Sequence, residues 1–579
     1  MIGARAGIAA ALASVGMALA MPGAAWGART ATVGRSGATV SGAGQRAADP
    51  PVAPDALRQP ARLDIPPAFH HLTADRAKAI AERLPKIAGE RRHWPGSYAV
   101  AFEKGAARWQ VSVYSSSGKH ELAQVLIDDA TGAVLEQWTG PQVAWTMARG
   151  YPGAFGRRVN ALYIWLPLSL LFLVPFVDRR RPWRMLHLDL AVLSAFSISL
   201  AFFNHGNIDA SVPLAYPPLL YLLGRLAWVA RRPGSEPLRL HLPAGWLAVA
   251  VIFLAGFRVG LNLVNSNVID VGYAGVIGGD RLLSGKPLYG HFPHDNEHGD
   301  TYGPVAYEAY VPFVVAFGFS GHWDDLPAAH GATVAFDLLC LLLVFLLGRR
   351  IRGPTLGLAL AYAWVTYPFT LFALESNTND PLVAALLLGA VLLSAPAARG
   401  GLTALGALTK FAPLALAPVL AVAAVADRGR RAWLSYALGF AGLAALACLP
   451  LLGVTSASEF WRHTVQYQAQ RGSPFSVWGL YGGLDAIQTA VQAGAVAFVA
   501  LAAWWARRAD RAALAALCAA VLIALQLGVT HWFYLYIPWF FGLAMAGLLG
   551  RAHEDRLDPG GPHRLLRSDQ HAHEPGVLV

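Results

Sequence analysis

Acidic side chains gather in the longest polar interruption of an otherwise apolar second half, the stretch from Asn265 to Tyr307. Charged groups beside a bilayer are costly unless they face water or a partner. We therefore take this stretch as the candidate active site, with a solvated loop as the alternative. Its acidic residues are Asp270, Asp280, Asp295, Glu297 and Asp300.

Asp270 stands at the start of the stretch, nearest to the preceding apolar segment. A carboxylate there could take a proton from an acceptor hydroxyl, so Asp270 is the candidate general base. Capping of a helix that follows Ile269 is the alternative role. Asp280 lies ten residues further on, in an amphipathic pattern, where it could instead pair with Arg281 or face water.

Cationic side chains that could hold an anionic group occur in three other segments. Lys410 lies within an apolar segment, where an unpaired ammonium needs an anion; a lysine that snorkels to the interface is the alternative. Arg462 and Arg471 flank a segment rich in aromatic residues, and His531 lies in an aromatic belt. For these three residues, the alternative is an ordinary position beside lipid headgroups.

The run HFPHDNEHGD contains imidazole and carboxylate groups, which suit several divalent metals. Its spacing matches neither a zinc pattern nor an EF-hand, so contact with an acceptor or sugar is the preferred interpretation. We expect no metal site and no cofactor. The three cysteines, Cys340, Cys448 and Cys518, all lie in apolar stretches and are expected to be packing residues rather than ligands.

Composition indicates the scaffold that must position these groups. The 579 residues are 55% hydrophobic and only 14% charged, with a mean hydropathy of +0.42, whereas a soluble chain carries about 25% charged residues. The net charge of +11 comes from short basic clusters between apolar segments. That distribution follows the positive-inside rule and argues against nucleic-acid binding.

The N-terminal part has a different composition. Residues 1–27 have the pattern of a secretory signal peptide, with an uncleaved anchor as the alternative, and residues 28–65 that of a flexible linker. Residues 66–145 predict a helix followed by an antiparallel meander of three or four strands. The segment QVLIDDATGAVLEQW resembles the second half of a PepSY domain, which implies a small extracytoplasmic α+β module with a binding, regulatory or structural role.

The remainder predicts a mainly α-helical membrane bundle of about eleven spanning helices, each near the ~20 residues that a crossing needs. Ala306 to Phe319 is predicted to be interfacial or re-entrant, and Gly401 to Ala426 a broken pair of half-helices around Lys410. Residues 551–579 predict a disordered cytoplasmic tail. Arginine clusters after alternate helices place the Asp270 loop outside. The spans are predicted at 160–177, 186–203, 212–230, 244–264, 329–348, 355–374, 381–398, 433–452, 486–505, 511–530 and 533–549.

Several motifs of residues 244–550 resemble those of GT-C glycosyltransferases, and most closely the branch of mannosyltransferases that use polyprenyl-phosphate-mannose. The likeness rests on an Asp after a membrane helix, a Tyr three residues later and a Gly followed by Leu-Tyr, and it continues in TYGPVAY, SNTND and LTKFAPLALAP. The helices of residues 157–243 and the PepSY-like module are additions to that core. The matching residues are Asp270, Tyr273, Gly285, Leu288, Tyr289, Tyr302, Asn377, Asn379 and Lys410.

The resemblance implies an inverting, metal-independent transfer of a sugar, mannose or similar, from a polyprenyl phosphate to a cell-envelope glycan or glycolipid. The setting would be the outer face of a bacterial plasma membrane, with the C-terminus cytoplasmic. Asp270 would be the base, and Lys410, Arg462, Arg471 and His531 would hold the donor phosphate. A flippase or transporter of a lipid-linked substrate, a membrane sensor and a non-catalytic scaffold are the alternatives.

Overall fold

The computed structural model describes residues 57–139, 143 and 157–550, except 106, 119–120, 206, 233–239, 294–295, 297 and 322–325. The predicted signal peptide, most of the predicted linker and the predicted tail therefore lie outside the described residues. So does Asp295, one of the candidate site residues.

The N-terminal unit is a pair of short helices packed on an antiparallel sheet. The helices are α1 (Ala74–Glu82) and α2 (Pro85–His93). The strand order follows the chain, β1-β2-β3-β4-β5, so the predicted meander is present together with a second helix and a two-residue strand. The strands are β1 (Leu57–Arg58), β2 (Tyr98–Lys104), β3 (Arg108–Tyr114), β4 (Glu121–Asp128) and β5 (Val134–Thr139).

This unit has its own apolar core, formed because alternate residues of the central strands face the helices. Trp109, Val111 and Val113 of β3 are fully buried against Ala77 and Ala81 of α1. Asp129 closes the sheet end by accepting hydrogen bonds from Trp109 Nε1 and from the N–H groups of residues 71 and 72. These bonds tie the segment before α1 to the end of the sheet.

The rest of the described chain is helical. Its helices are α3 (Leu162–Leu173), α4 (Met185–Asn204), α5 (Ile208–Leu214), α6 (Tyr216–Arg231), α7 (Ala244–Asn265), α8 (Asp270–Leu283), α9 (Val305–Glu308), α10 (Val311–Phe317), α11 (Pro327–Arg352), α12 (Pro354–Thr366), α13 (Pro368–Glu375), α14 (Asp380–Leu392), α15 (Pro396–Thr409), α16 (Ala417–Arg428), α17 (Ala432–Cys448), α18 (Ala457–Trp461), α19 (Tyr467–Gln470), α20 (Val477–Leu480), α21 (Asp485–Ala506), α22 (Arg511–Gly528) and α23 (Ile537–Gly550).

Seven stretches of described helix are long and apolar enough to cross a membrane, and the pair α12 and α13, bent by 56°, makes an eighth candidate. The polytopic helical fold is thus confirmed. Three predicted spans, at 160–177, 381–398 and 533–549, correspond to shorter apolar helices of 10 to 17 residues. Prolines explain two of the helix breaks, the bend between α12 and α13 and the gap between α14 and α15. Pro368 starts α13 and Pro396 starts α15, and a proline cannot continue the preceding helix.

The predicted break around Lys410 is confirmed. Helix α15 ends at Thr409, a 3₁₀ turn covers Ala412–Leu416, and α16 begins at Ala417. The Ala306 to Phe319 segment forms only the short helices α9 and α10. Helix α22 lies at the centre of the bundle, where every residue from Ala512 to Gly528 is buried. Helices α14, α22 and α23 pack on one another there.

Candidate active site

Two chain segments are held together at the place where α7 ends. The N–H groups of Asn267 and Ile269 donate to the carbonyls of Glu375 and Ser376, at 3.1 and 3.2 Å. The Asn377 side-chain amide donates to Ser266 Oγ at 2.9 Å. Because these bonds join residues 266–269 to residues 375–377, the starts of α8 and α14 are brought to the same end of the bundle.

Asn377 and Gly272 fix this junction. Asn377 has φ 48°, in the left-handed region that asparagine tolerates better than most residues. A Cβ on Gly272 would lie 2.0 Å from the Asn377 carbonyl oxygen. Helix α8 can therefore approach the SNTND turn this closely only with glycine at this position. Asn377 is accordingly a structural residue of the junction.

Asp270 is the first residue of α8 and follows the N-cap Ile269. The helix N-terminus favours a carboxylate there. The residue is half-buried, but its Oδ1 is buried and has no hydrogen-bond partner within the part of the chain that is described. Burial raises the pKa of Asp270, while Arg471, the N–H of Val271 and Lys410 oppose that rise. A carboxyl with a buried, unpartnered oxygen and two cations within electrostatic range is suited to receive a proton.

Asp380, the first residue of α14, is the second carboxylate of the site and is fully engaged. Its Oδ1 accepts hydrogen bonds from Lys410 Nζ at 2.6 Å and from Trp539 Nε1 at 2.8 Å. Its Oδ2 accepts from the Thr378 hydroxyl. Asp380 lies within electrostatic range of Asp270 and disfavours its ionisation. The two carboxylates therefore differ in their hydrogen bonds. Both oxygens of Asp380 have donors, whereas Asp270 keeps an oxygen that can accept a proton.

Lys410 lies at the break between α15 and the following 3₁₀ turn, with its side chain 9% exposed. Its ammonium is 5.3 Å from the ring centroids of Tyr302 and Trp539 and 5.4 Å from that of Tyr536. Aromatic faces stabilise a cation at such distances. The premise that Lys410 is unpaired is wrong, because the resident carboxylate of Asp380 already balances its charge.

Tyr302 reaches Lys410 because its neighbour is a glycine. A Cβ on Gly303 would lie 2.0 Å from the Leu408 carbonyl oxygen, so the TYGPVAY segment touches the backbone of α15. The Tyr302 carbonyl accepts a hydrogen bond from Tyr289 Oη at 2.9 Å, and its N–H donates to Tyr307 Oη at 3.1 Å. Tyr302 is thus clamped on both sides and presents its ring to the ammonium.

Arg471 and His531 complete this end of the bundle. Arg471 acts electrostatically on Asp270, Tyr302, Tyr536 and His531, which places its guanidinium among the site residues. His531 Nδ1 lies 2.8 Å from Ser473 Oγ. Burial, together with Arg471 and Lys410, lowers the pKa of His531 well below its usual value. Because a neutral imidazole supplies only a hydrogen bond, the role of His531 in phosphate binding stays a prediction, with a hydrogen bond as its contribution.

Other predicted site residues lie apart from this cluster. Asp280 is ten residues along α8 from Asp270, about 15 Å at 1.5 Å per residue. Tyr273 packs in an apolar cluster, 6.1 Å from the Phe319 ring centroid. Asp300 accepts the Gly290 N–H and pairs with His463 Nδ1 at 3.0 Å, so it holds the loop together. Arg462 is exposed, and its charge interacts with the carboxylate of Glu459.

Asn379, unlike these residues, borders the cluster. It is 1% exposed, and neither side-chain polar atom has a hydrogen-bond partner in the described part of the chain. A buried amide in that condition is costly unless a further group completes it. Asn379 therefore remains a candidate for substrate contact. No group of three or more His, Cys, Asp or Glu residues that could hold a metal ion occurs among the described residues.

Sequence reasoning missed Asp380, Tyr536 and Trp539. Asp380 lies within the SNTND motif, and an acidic residue that opens an apolar helix was the signal that could have identified it. The two aromatic residues have no such signal, because an aromatic belt near the membrane interface already accounts for residues of their type.

Comparison with known families gives a match over part of the chain. Residues 301–530 match the model of glycosyltransferase family 87. No curated protein and no solved structure gives a significant match. The matched segment, less than half of the chain, contains Tyr302, Asn379, Asp380, Lys410 and Arg471, whereas Asp270 lies before it. Together with the apolar helices, the match supports a membrane glycosyltransferase; it does not cover the N-terminal α+β unit.

Proposed function

We propose that this chain transfers a sugar from a polyprenyl phosphate to a glycan or glycolipid acceptor at the outer face of a bacterial plasma membrane, with Asp270 as the general base. The observation that carries the proposal is the buried, unpartnered Oδ1 of Asp270, within electrostatic range of both Arg471 and Lys410. Base and phosphate-binding cations come from distant parts of the chain. Transfer of a sugar from a lipid phosphate needs both kinds of group in one place.

The reaction needs few further groups. The acceptor hydroxyl attacks the anomeric carbon and gives its proton to Asp270, so a new carbon–oxygen bond forms. The bond between the anomeric carbon and the phosphate oxygen breaks, and the polyprenyl phosphate leaves with the electron pair. Because a phosphate monoester is a good leaving group, neither a general acid nor a metal is required. Attack opposite to the departing phosphate inverts the anomeric centre.

The charges of the cluster fit this reaction. With both carboxylates ionised, Asp270 and Asp380 balance Lys410 and Arg471. As the sugar is transferred, Asp270 becomes neutral while the departing phosphate gains one negative charge. The two cations then face one carboxylate and the phosphate, so the charge of the whole site is unchanged. Fixed cations placed where negative charge develops are a large source of rate enhancement.

Asp380 and the three aromatic rings have a positioning role in this scheme. The ammonium of Lys410 has three donors, of which Asp380 takes one. The rings of Tyr302, Tyr536 and Trp539 restrict where the ammonium can go. Lys410 and Arg471 are therefore the groups proposed to hold the phosphate, while Asn379 is proposed to contact the sugar or the phosphate.

Purified protein incubated with labelled polyprenyl-phosphate-mannose and a membrane extract from cells that lack this chain tests the proposal. We expect label in a glycan or glycolipid product, and undiminished product when EDTA is present. A proteoliposome assay that moves the labelled donor across the bilayer without forming a glycosidic bond would support the flippase alternative instead. Product that forms only with an added divalent cation would overturn the metal-independent mechanism.

A further inference from the structure

Three arginines converge at the opposite end of the bundle from Asp270. Helix α14 runs from Asp380, in the candidate site, to Leu392, and helix α22 runs from Arg511 to Gly528, three residues before His531. Arg511 and the Ser394 that follows α14 therefore share the far end. Arg350, in the last turn of α11, and the nearby Arg399 join them there.

Ser394 is the centre of this cluster. Arg350 Nη2 and Arg511 Nη2 each donate to Ser394 Oγ at 2.7 Å, so the two nitrogens lie no more than twice that distance apart. A hydroxyl has two acceptor lone pairs and one donor hydrogen. Since both lone pairs are taken by arginines, the remaining hydrogen-bonding capacity of Ser394 is for an acceptor.

Arg399 forms the buried floor of the cluster. Its side chain is 1% exposed, with Nε donating to the Leu393 carbonyl at 3.1 Å and Nη2 to Asp427 at 3.0 Å. Its Nη1 and the Nε of Arg511 are buried and have no hydrogen-bond partner among residues 57–550 as far as these are described. Two guanidinium groups therefore have donors to spare where water does not reach them.

The charges of this cluster do not balance. Arg350 and Arg399 both act electrostatically on Arg511, and among the described residues Asp427 is the carboxylate that opposes them. The Asp427 side chain is 40% exposed, so water weakens its contribution. Like charges brought together at partly buried positions are unfavourable unless an anion compensates them. Among the residues that the structure describes, none of the groups acting on Arg511 is a buried anion of that kind.

We propose that Arg350, Ser394, Arg399 and Arg511 form a binding site for a phosphate group. Guanidinium groups bind phosphate oxygens in a forked, two-bond geometry, and the Ser394 hydroxyl can add a third donor. The site lies where candidate spans end, at the level of lipid headgroups, and basic pockets between membrane helices bind anionic headgroups there. The site is independent of the proposed transfer reaction and uses none of its residues.

Binding to the full-length protein in neutral detergent tests this site. The probes are dioctanoyl phosphatidylglycerol, dioctanoyl phosphatidylcholine and inorganic phosphate, and the readout is the shift of the thermal unfolding midpoint with ligand concentration. We expect saturable binding of phosphatidylglycerol that the Arg350→Gln/Arg511→Gln variant weakens about tenfold or more, the effect of losing a charge-assisted hydrogen bond. Tighter binding of phosphatidylglycerol than of inorganic phosphate identifies a headgroup; equal binding identifies a free phosphate compound.

The matched control is Arg430→Gln/Arg431→Gln, which removes the same charge from two exposed arginines. We expect this control to bind phosphatidylglycerol as the wild type does. The proposal would be overturned if the Arg350→Gln/Arg511→Gln variant bound phosphatidylglycerol as tightly as the wild type does. It would also be overturned if the control lost as much affinity as that variant. Because Arg350 is exposed, Arg350→Gln alone provides a folded variant if the double substitution prevents folding.

Discussion

The two ends of the helical bundle both concentrate charge, but they do so in different ways. At the Asp270 end, two carboxylates and two cations balance one another, and one carboxylate keeps an unpartnered oxygen. At the Ser394 end, two guanidinium groups donate to one hydroxyl, and a third pairs with an exposed carboxylate. A balanced cluster with a spare acceptor is suited to proton transfer, whereas an excess of donors is suited to holding an anion.

The largest expected difference is in stability, between variants that break the Lys410–Asp380 ion pair and variants that break the Arg399–Asp427 ion pair. Asp380→Asn leaves the buried Lys410 ammonium without its counter-charge, and breaking such a pair costs about 3–5 kcal/mol. Asp427→Asn should cost about 1 kcal/mol or less, because the Asp427 side chain is 40% exposed. Thermal unfolding in one detergent measures both.

The double variant Asp380→Asn/Lys410→Met is the control for that prediction. It removes both charges, so we expect it to recover most of the lost stability while transfer stays impaired. Equal destabilisation by Asp380→Asn and Asp427→Asn would contradict the distinction between a buried and a solvated pair.

Glycine substitutions test how the Asp270 end is assembled. Gly303→Ala would place a Cβ 2.0 Å from the Leu408 carbonyl oxygen, and such overpacking costs about 1–3 kcal/mol. We expect lower stability and slower transfer, because Tyr302 moves away from Lys410. Gly472→Ala, with no atom within 4 Å of its added Cβ, should change neither. Unaltered stability of Gly303→Ala would show that the close approach is not needed.

Arg462 and Arg471, both predicted from the sequence to hold phosphate, should differ in their effect on the KM for the lipid donor. Arg471→Gln is expected to raise the KM for the lipid donor about tenfold, the effect of one lost charge-assisted hydrogen bond. Arg462→Gln should leave KM unchanged, because Arg462 is exposed and is not one of the groups acting on Asp270. Steady-state kinetics with varied donor concentration separate the two, and a similar KM in both variants would place the phosphate elsewhere.

A pH titration should give the smallest but most specific signal. Burial raises the pKa of Asp270, so its ionised form, and with it transfer, should be lost on acidification at a pH above the usual Asp range near 4. A carboxyl whose pKa is raised by folding stabilises the fold at low pH. That stability is lost as pH rises from the unfolded-state pKa through the folded-state pKa.

Asp270→Asn removes the contribution of this carboxyl to the pH dependence of stability. At neutral pH the variant should therefore unfold at a temperature equal to or higher than that of the wild type, which scanning calorimetry measures. A lower unfolding temperature would mean that the ionised carboxylate stabilises the fold. It would contradict the view that Asp270 lowers stability for the sake of function.

Local features of this architecture could be predicted from the sequence. The helix break at Lys410 follows from a charged residue and Pro413 within an apolar segment, and the N-terminal meander follows from alternating residues. A helix that follows Ile269 was part of the alternative interpretation of Asp270, and α8 does begin there, with Ile269 rather than Asp270 as its N-cap. In each case the signal lies within about twenty residues of the feature that it describes.

Partnerships between distant segments could not be predicted in this way. Lys410 looked unpaired because Asp380 is thirty residues away, and Trp539 donates to Asp380 from still further along the chain. Arg350, Ser394 and Arg511 meet only because three helices end at the same level. Hydropathy and spacing indicate which segments are helical, but the helix packing decides which of their ends coincide.

The most direct test of the account is the rate of sugar transfer at saturating donor in Asp270→Asn, compared with Asp280→Asn on the same helix. General-base catalysis contributes about 10²- to 10⁴-fold, so Asp270→Asn should slow transfer by that factor while still binding the donor. Asp280→Asn should transfer at the wild-type rate. Wild-type transfer by Asp270→Asn, or an equal loss in both variants, would contradict the role of Asp270 as the base.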